Sequence, residues 1–255
     1  MQKKHFKLLI ALLFFTVASA QTINIDYVCF YDLKFIRNDN SSDNEQFILL
    51  VDSKSNKSAF LSTTIYSMNS LKETNPNDYM MYGSGFPEIV CNNNNQMDIF
   101  EDIKDFKYRY VENDKLNWEI LKEKKKVGKV NAQLARCNAY GRIWYAWFSV
   151  EIPLNYGPYK FKGLPGLIVS LYDSEKKLNF TLENYKKKKE KYNLPKVNDY
   201  KLITKEKYYK NRFKILTSDD SSVLFDNAEE RKKWFNVIKK RYRGQILIDI
   251  KYPQE

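Results

Sequence analysis

The longest regular pattern in the chain lies at residues 22–36, where Ile23, Ile25, Tyr27, Cys29, Tyr31, Leu33 and Phe35 alternate with Thr22, Asn24, Asp26, Asp32 and Lys34. A period of two sends successive side chains to opposite faces, so this stretch predicts a long half-buried strand with Cys29 turned inward as a small hydrophobe. The polar cluster Arg37 to Asn44 predicts a turn, and Gln46 to Val51 a returning strand. Phe60, Leu61, Ile65, Met68 and Leu71 recur at helical spacing, which predicts an amphipathic helix over 59–72 packed on a sheet. Residues 74–98, with Pro76, Gly83-Ser84-Gly85, Pro87 and the run Asn92 to Asn95, read as a long irregular connection in which Cys91 is the most exposed thiol.

Strands return from residue 102. Phe106, Tyr108 and Tyr110 alternate with Lys107 and Arg109, and Leu116, Trp118 and Ile120 with Asn117 and Glu119. Lys122 to Lys126 reads as a charged interruption, Val130 to Arg136 as a short strand, and Ile143 to Ile152, apolar on both faces, as a strand at the centre of the sheet. Leu167 to Tyr172 and Leu178 to Tyr185 predict a hairpin around Asp173 to Lys177, with Leu178, Phe180 and Leu182 inward, and the lysine run Lys186 to Lys191 terminates it. Beyond Pro195 the pattern turns helical. Tyr208, Tyr209, Arg212, Phe213 and Leu216 mark one helix; Asp226 three before Glu229, with Ala228, Phe235, Ile238 and Tyr242 on one face, marks a second that Gly244 ends. Gln245 to Tyr252 alternates again, as an edge strand would. The fold class expected is β-rich α+β: an antiparallel sheet curved into a half-barrel or bowl, covered by the 59–72 helix and the C-terminal helices.

The first twenty residues stand outside this fold. Lys3, Lys4 and Lys7, the apolar run Leu8 to Val17 and the small residues Ala18-Ser19-Ala20 have the layout of a secretory signal peptide cleaved between Ala20 and Gln21. The expected organisation is therefore a signal peptide (1–20) and one β-rich domain (21–255), with 196–255 a mainly helical extension, in an exported protein, periplasmic or secreted. No later stretch has the length of apolar sequence a membrane span needs. The formal net charge is +12, and removing residues 1–20 lowers it to +9. Such a balance fits an anionic partner such as lipid phosphate, acidic glycan or nucleic acid, or plain solubility through a lysine bias; export argues against nucleic acid.

Composition excludes more chemistry than it offers. The single histidine, His5, lies in the signal peptide, so the mature chain has no Ser-His-Asp or Cys-His relay and no histidine-ligated metal. No cofactor is expected. Cys29, Cys91 and Cys137 are too few for a disulfide scaffold. Asp39, Ser41, Asp43 and Glu45 alternate like calcium-loop ligands, but Asn44 stands where such loops need Gly and Leu50 where they need Glu. The Ser174/Lys177 pair falls in a hairpin turn rather than at a helix start, unlike the serine enzymes that use this spacing. Paired carboxylates such as Glu151 with Asp173, or Glu119 with Glu183, would serve glycoside hydrolysis only if the fold brought them within about 5–9 Å. Trp118, Trp144 and Trp147 are candidates to line a ligand surface, against the plainer role of core.

The most punctuated stretch is Gly157-Pro158-Tyr159-Lys160-Phe161-Lys162-Gly163-Leu164-Pro165-Gly166-Leu167-Ile168. Its Gly-Pro and Pro-Gly pairs predict two tight reversals, with Tyr159 and Phe161 on one face and Lys160 and Lys162 presented on the other. A plug that closes one end of a sheet is the expected role, with anion binding by the two lysines the alternative. The glycine spacing and the lack of a following Lys-Ser or Lys-Thr exclude a P-loop.

The unbroken hexapeptide Gly163-Leu164-Pro165-Gly166-Leu167-Ile168 resembles the one that names the GLPGLI family of exported Bacteroidota proteins. Gly141-Arg142, Trp147-Phe148, Glu151-Ile152-Pro153 and Gly157 to Phe161 extend the likeness over roughly 118–172. The resemblance implies an exported, β-rich protein of a family without an assigned activity. Relatives often carry a cysteine near the position of Asn131, whereas Cys137 here lies downstream, so no family disulfide is carried over. The reading favoured from sequence is a non-enzymatic envelope protein that binds an apolar or amphipathic ligand, or an envelope protein partner, on the concave face of its sheet. The alternatives are a carboxylate-dependent hydrolase acting on glycans and a structural partner of an outer-membrane complex.

Overall fold

Most alternating segments within the described residues form strands, and others join them, but Leu116 and Trp118 lie in a non-strand link rather than in the strand expected there. The computed structural model describes residues 22–37, 40–70, 84–94, 96–217, 227–233 and 236. In chain order the elements are β1 (Thr22–Ile36), β2 (Ser42–Asp52), β3 (Lys57–Ser62), α1 (Thr63–Ser70), β4 (Ile89–Asn93), β5 (Gln96–Ile103), β6 (Phe106–Glu112), β7 (Glu119–Val127), β8 (Val130–Ala139), β9 (Arg142–Ser149), β10 (Leu167–Asp173), β11 (Leu178–Asn193), a 3-10 turn (Val197–Asp199), β12 (Lys201–Leu202) and α2 (Lys205–Thr217). They build one twelve-stranded sheet in the order β12-β6-β5-β4-β3-β2-β1-β11-β10-β9-β8-β7. Every pairing is antiparallel except β12 with β6. The tight β8–β9 turn is made by Tyr140 and Gly141, both at positive φ, the conformation whose twist matches paired strands.

The sheet is open but curls until strands near its two ends flank one side chain across a seam. β6 is second from one edge and β8 second from the other. Yet the Lys160 ammonium lies 5.2 Å from the ring of Tyr110 on β6 and 5.1 Å from that of Tyr140, which follows β8. Residues 113–118 alone link β6 to β7 across this seam. The concave, inner face carries the larger core, roofed by segment 150–166 and by α2. The outer face carries a smaller core of Ile23, Ile25, Val28, Ile48, Leu50 and Leu61, packed by Ile65 and Tyr66 of α1 and by Leu194, Val197 and Tyr200.

Several expectations need correction. The single buried face of β1 is really two. A register shift between Ile25 and Tyr27 sends Ile23 and Ile25 to the outer core, and Cys29, Tyr31, Leu33 and Phe35 to the inner one. The 59–72 helix is shorter than its periodicity predicts. Phe60 and Leu61 lie on opposite faces of β3, and the helix begins at Thr63, with the Ser62 hydroxyl accepting the Ile65 amide at 3.2 Å as its cap. The connection 74–98 contains β4, which buries Cys91 rather than exposing it. Lys122 to Lys126 does not interrupt a strand but forms the edge strand β7, and Lys186 to Lys191 does not end the hairpin but continues β11 to Asn193. Lysine is tolerated there because solvent takes its side chain on an open strand. β9 is third from an edge, with β1 and β2 at the middle. The proposed signal peptide and the Gln245 to Tyr252 strand lie outside the described residues, and of the second C-terminal helix only 228–233 and 236 are described, as helix.

Candidate functional site: two buried polar clusters under the inner roof

Segment 150–166 enters the roll because its backbone bonds find partners there. The Gly163 amide donates to Asn155 O at 3.0 Å, Leu167 to Ile152 O at 3.0 Å and Ile168 to Tyr156 O at 3.0 Å, while the Tyr31 hydroxyl donates to Ile168 O at 2.7 Å. Gly166 passes so close to β9 that a Cβ would meet Ser149 O at 2.2 Å, and Gly163 sits at φ 94°, so each needs glycine for its own reason. Phe161 inserts among Trp118, Tyr140 and Trp144, with ring centroids 6.2, 5.4 and 4.6 Å away. Phe161 and Leu164, each 1% exposed, thus fill part of the inner face.

The two lysines are not presented to solvent together. Tyr159 adopts a positive φ of 54°, which breaks the strand-like alternation and turns its neighbour inward. Lys160 is 0% exposed, donating to the Tyr110 hydroxyl at 2.8 Å and to Glu112 Oε2 at 2.9 Å, beneath the rings of Tyr110, Tyr140 and Tyr159. Lys205, at the start of α2, reaches the same carboxylate at 2.8 Å and Asp114 at 3.0 Å. Burial alone would push the Glu112 carboxyl up, but Lys160 and Lys205 outweigh it and hold it below its ordinary value. Lys162 is half-buried and donates to Asn92 Oδ1 at 2.7 Å; desolvation lowers its pKa.

The second cluster lies four residues further along the β5–β6 ladder, since Glu112 is opposite Met97 and Glu101 opposite Tyr108. Glu101 on β5 faces Glu88, one step beyond the Ile89–Phe100 pair, and both are buried on the inner face. From α2, the Arg212 guanidinium donates to both Glu101 oxygens at 3.1 Å and the Tyr208 hydroxyl donates to Glu101 Oε2. Glu45 on β2 accepts from the Gly85 amide at 2.9 Å and from Ser84. Burial raises the Glu101 carboxyl to about 7 against the opposing pull of Arg212, and burial likewise raises Glu45 to about 7.

The remaining sequence candidates do not assemble. Trp118 donates to Lys162 O at 2.9 Å and Trp144 to Ala139 O at 3.1 Å, so both frame the plug. Trp147 is nearly buried, with the Lys125 ammonium 4.3 Å over its ring. Glu151 and Asp173 stand at opposite ends of the β9–β10 ladder, the first bonded to Asn131, the second to Arg142. Glu119, paired with Arg136 on edge strand β7, is four strands from Glu183 on β11. The three cysteines are free and buried, and burial pushes the Cys29 and Cys137 thiols up to about 12, away from nucleophilic use. Among the described residues no group of His, Cys, Asp or Glu side chains is arranged to hold a metal ion, and no helix is long and apolar enough to cross a membrane. Glu88, Glu101, Glu112 and Lys205 are not marked by sequence, Tyr208 and Arg212 are marked only as helix positions, and Glu45 only in the calcium-loop pattern that Asn44 and Leu50 exclude. The only available signal was inward register for the glutamates, which reads as a strand's polar side until the pairing is known.

Against known proteins, a family model described as a protein of unknown function (Porph_ging) matches residues 110–170, a span that includes Gly157 to Ile168. No curated protein matches. Among solved structures, PNGF-II in its P21 crystal form is similar over 75% of this chain and 34% of its own, with 15% identity and a TM-score of 0.56. Its C2 form gives 15% identity and a TM-score of 0.53 over 74% and 32%. This chain thus spans about a third of the PNGF-II chain, and the likeness is one of fold. MucB in complex with MucA(peri) gives 8% identity and a TM-score of 0.31 over 67% and 52%, too low to bear on the argument.

Proposed function

We propose that this protein is an exported, non-catalytic binding module of the cell envelope that recognises a protein partner on the outside of its roll. The observation that carries this reading is the filled inner face. The protein's own Phe161, Leu164 and Lys160 occupy the place where an apolar or amphipathic ligand would sit, each no more than 1% exposed. The buried ionisable groups support it too, since Lys160, Glu112, Glu101 and Arg212 are spent on one another. Native mass spectrometry of protein purified from its exported compartment tests the reading. Protein free of lipid and glycan, captured with a protein partner by cross-linking, is the expected result; stoichiometric bound lipid would overturn it.

A second reading, carboxylate-dependent hydrolysis, rests on one observation. Glu88 and Glu101 face each other beside Glu45, with one guanidinium among three carboxylates, the kind of environment that separates acid from base. Release of reducing sugar from envelope glycans, abolished by Glu88→Gln, would favour it.

A further inference from the structure

We propose that the edge of β11 at residues 183–193, which no described strand pairs, docks an acidic polypeptide segment in extended conformation; this names the partner chemistry of the binding function proposed above. β11 pairs with β1 from end to end, Phe35 opposite Leu178 and Thr22 opposite Asn193. On its other side β10 pairs only from Ser170 opposite Thr181 to Tyr172 opposite Asn179. Beyond Leu182, therefore, no strand among the described residues covers that edge, and residues 183–189 are exposed at every position.

Chemistry narrows what such an edge accepts. Unpaired backbone groups invite any extended chain, and Lys186, Lys187, Lys188, Lys189 and Lys191 select among them. A second copy of this basic protein is repelled. A neutral chain gains the ladder alone, and a non-peptide polyanion gains the charge alone. A segment that alternates acids gains both, through cross-strand pairs of opposite charge. Lys186 and Lys187 lie over the rings of Phe30 and Tyr27, and Lys188 is bonded to Glu190, whereas Lys189 and Lys191 have no ion pair among the described residues. Register shifts at Ile25/Tyr27 and Phe30/Tyr31 divide the β1–β11 ladder into short runs, so a docked strand gains few bonds per run and leans on charge.

The test uses the full chain and a fluorescent eight-residue peptide alternating glutamate and threonine, with two controls: the same peptide N-methylated at alternate amides, and a lysine-threonine counterpart. Expected are anisotropy binding at low salt that weakens steeply with ionic strength, slowed amide exchange confined to residues 183–193, and a loss of roughly tenfold or more in affinity in the Lys189→Glu, Lys191→Glu double variant. Equal binding of the N-methylated peptide would reduce the site to an anion patch. Stronger binding of vesicles rich in phosphatidylglycerol would assign it to a membrane surface, and an equal loss from Lys124→Glu with Lys126→Glu on β7 would reduce it to diffuse charge. Each of these outcomes overturns the proposal. Retained lipid or glycan hydrolysis, measured on the same samples without peptide, bears on the binding reading alone.

Discussion

At the Glu112 end of the inner face two ammonium groups meet two carboxylates, whereas at the Glu101 end Arg212 pairs with Glu101 alone while Glu88 and Glu45 stand nearby. Both ends are buried, both use α2, and Tyr110 touches both, since its hydroxyl accepts from Lys160 while its ring lies 4.8 Å from that of Tyr208. The difference is stoichiometric. Where cations suffice, a buried carboxylate is held ionised; where they do not, burial prevails and protons make up the deficit. The two ends therefore respond to pH with opposite signs. Glu112, held below its ordinary 4.5, contributes stability that is present above that value and lost as pH falls through its folded pKa. Glu45 and Glu101, raised from 4.5 to about 7, contribute stability that is full below 4.5 and lost as pH rises through about 7.

The strongest way to break this comparison is Lys160→Met, which leaves Glu112 to Lys205 alone. A loss of about 3–5 kcal/mol is expected in urea unfolding at pH 7, with part of it restored by adding Glu112→Leu. A Lys160→Met variant as stable as the wild type would show the balanced end to be incidental. Arg212→Met is the matching change at the other end. It should cost roughly 2–3 kcal/mol at pH 8 but less than half of that at pH 5, where Glu101 takes up a proton instead of remaining an unpaired charge; equal losses at both pH values would refute the asymmetry. Next in size, the wild type should lose on the order of 2 kcal/mol between pH 5 and pH 8, and the Glu45→Gln, Glu101→Gln double variant should be nearly flat over that range. Smallest is Lys162→Met, which removes a half-buried ammonium with one bond to Asn92 and should cost about 1 kcal/mol or less.

Local alternation made part of this legible. β1 and the β10–β11 hairpin follow from their own residues, and the turn after Gly157-Pro158 follows from that dipeptide. Phe60 was misread because Phe60, Leu61 and Ile65 satisfy a helical spacing while straddling a strand end and a helix start, and the cap at Ser62 was the overlooked mark. The lysine runs were misread because charge density signals solvent, and a strand's open side is solvent too. Lys160 could not be placed from its neighbours. Its side chain follows the positive φ of Tyr159, and its partner Glu112 is 48 residues away. Glu88 opposite Glu101 needs the β4–β5 register, which no short-range pattern prints when β4 itself reads as a loop.

The pairing of β1 with β11 also governs how the molecule is made. Thr22 bonds Asn193 across 171 residues of chain. A nascent chain already holds β1 to β6 while the second edge of β1 still waits for residues 178–193. Closing so long a loop before its contacts repay the lost entropy places folding among slow, high-contact-order β proteins, in the range of milliseconds to seconds. Until it closes, a growing chain carries an uncovered strand at what will become the middle of its sheet, and that interval is when misassembly threatens it most.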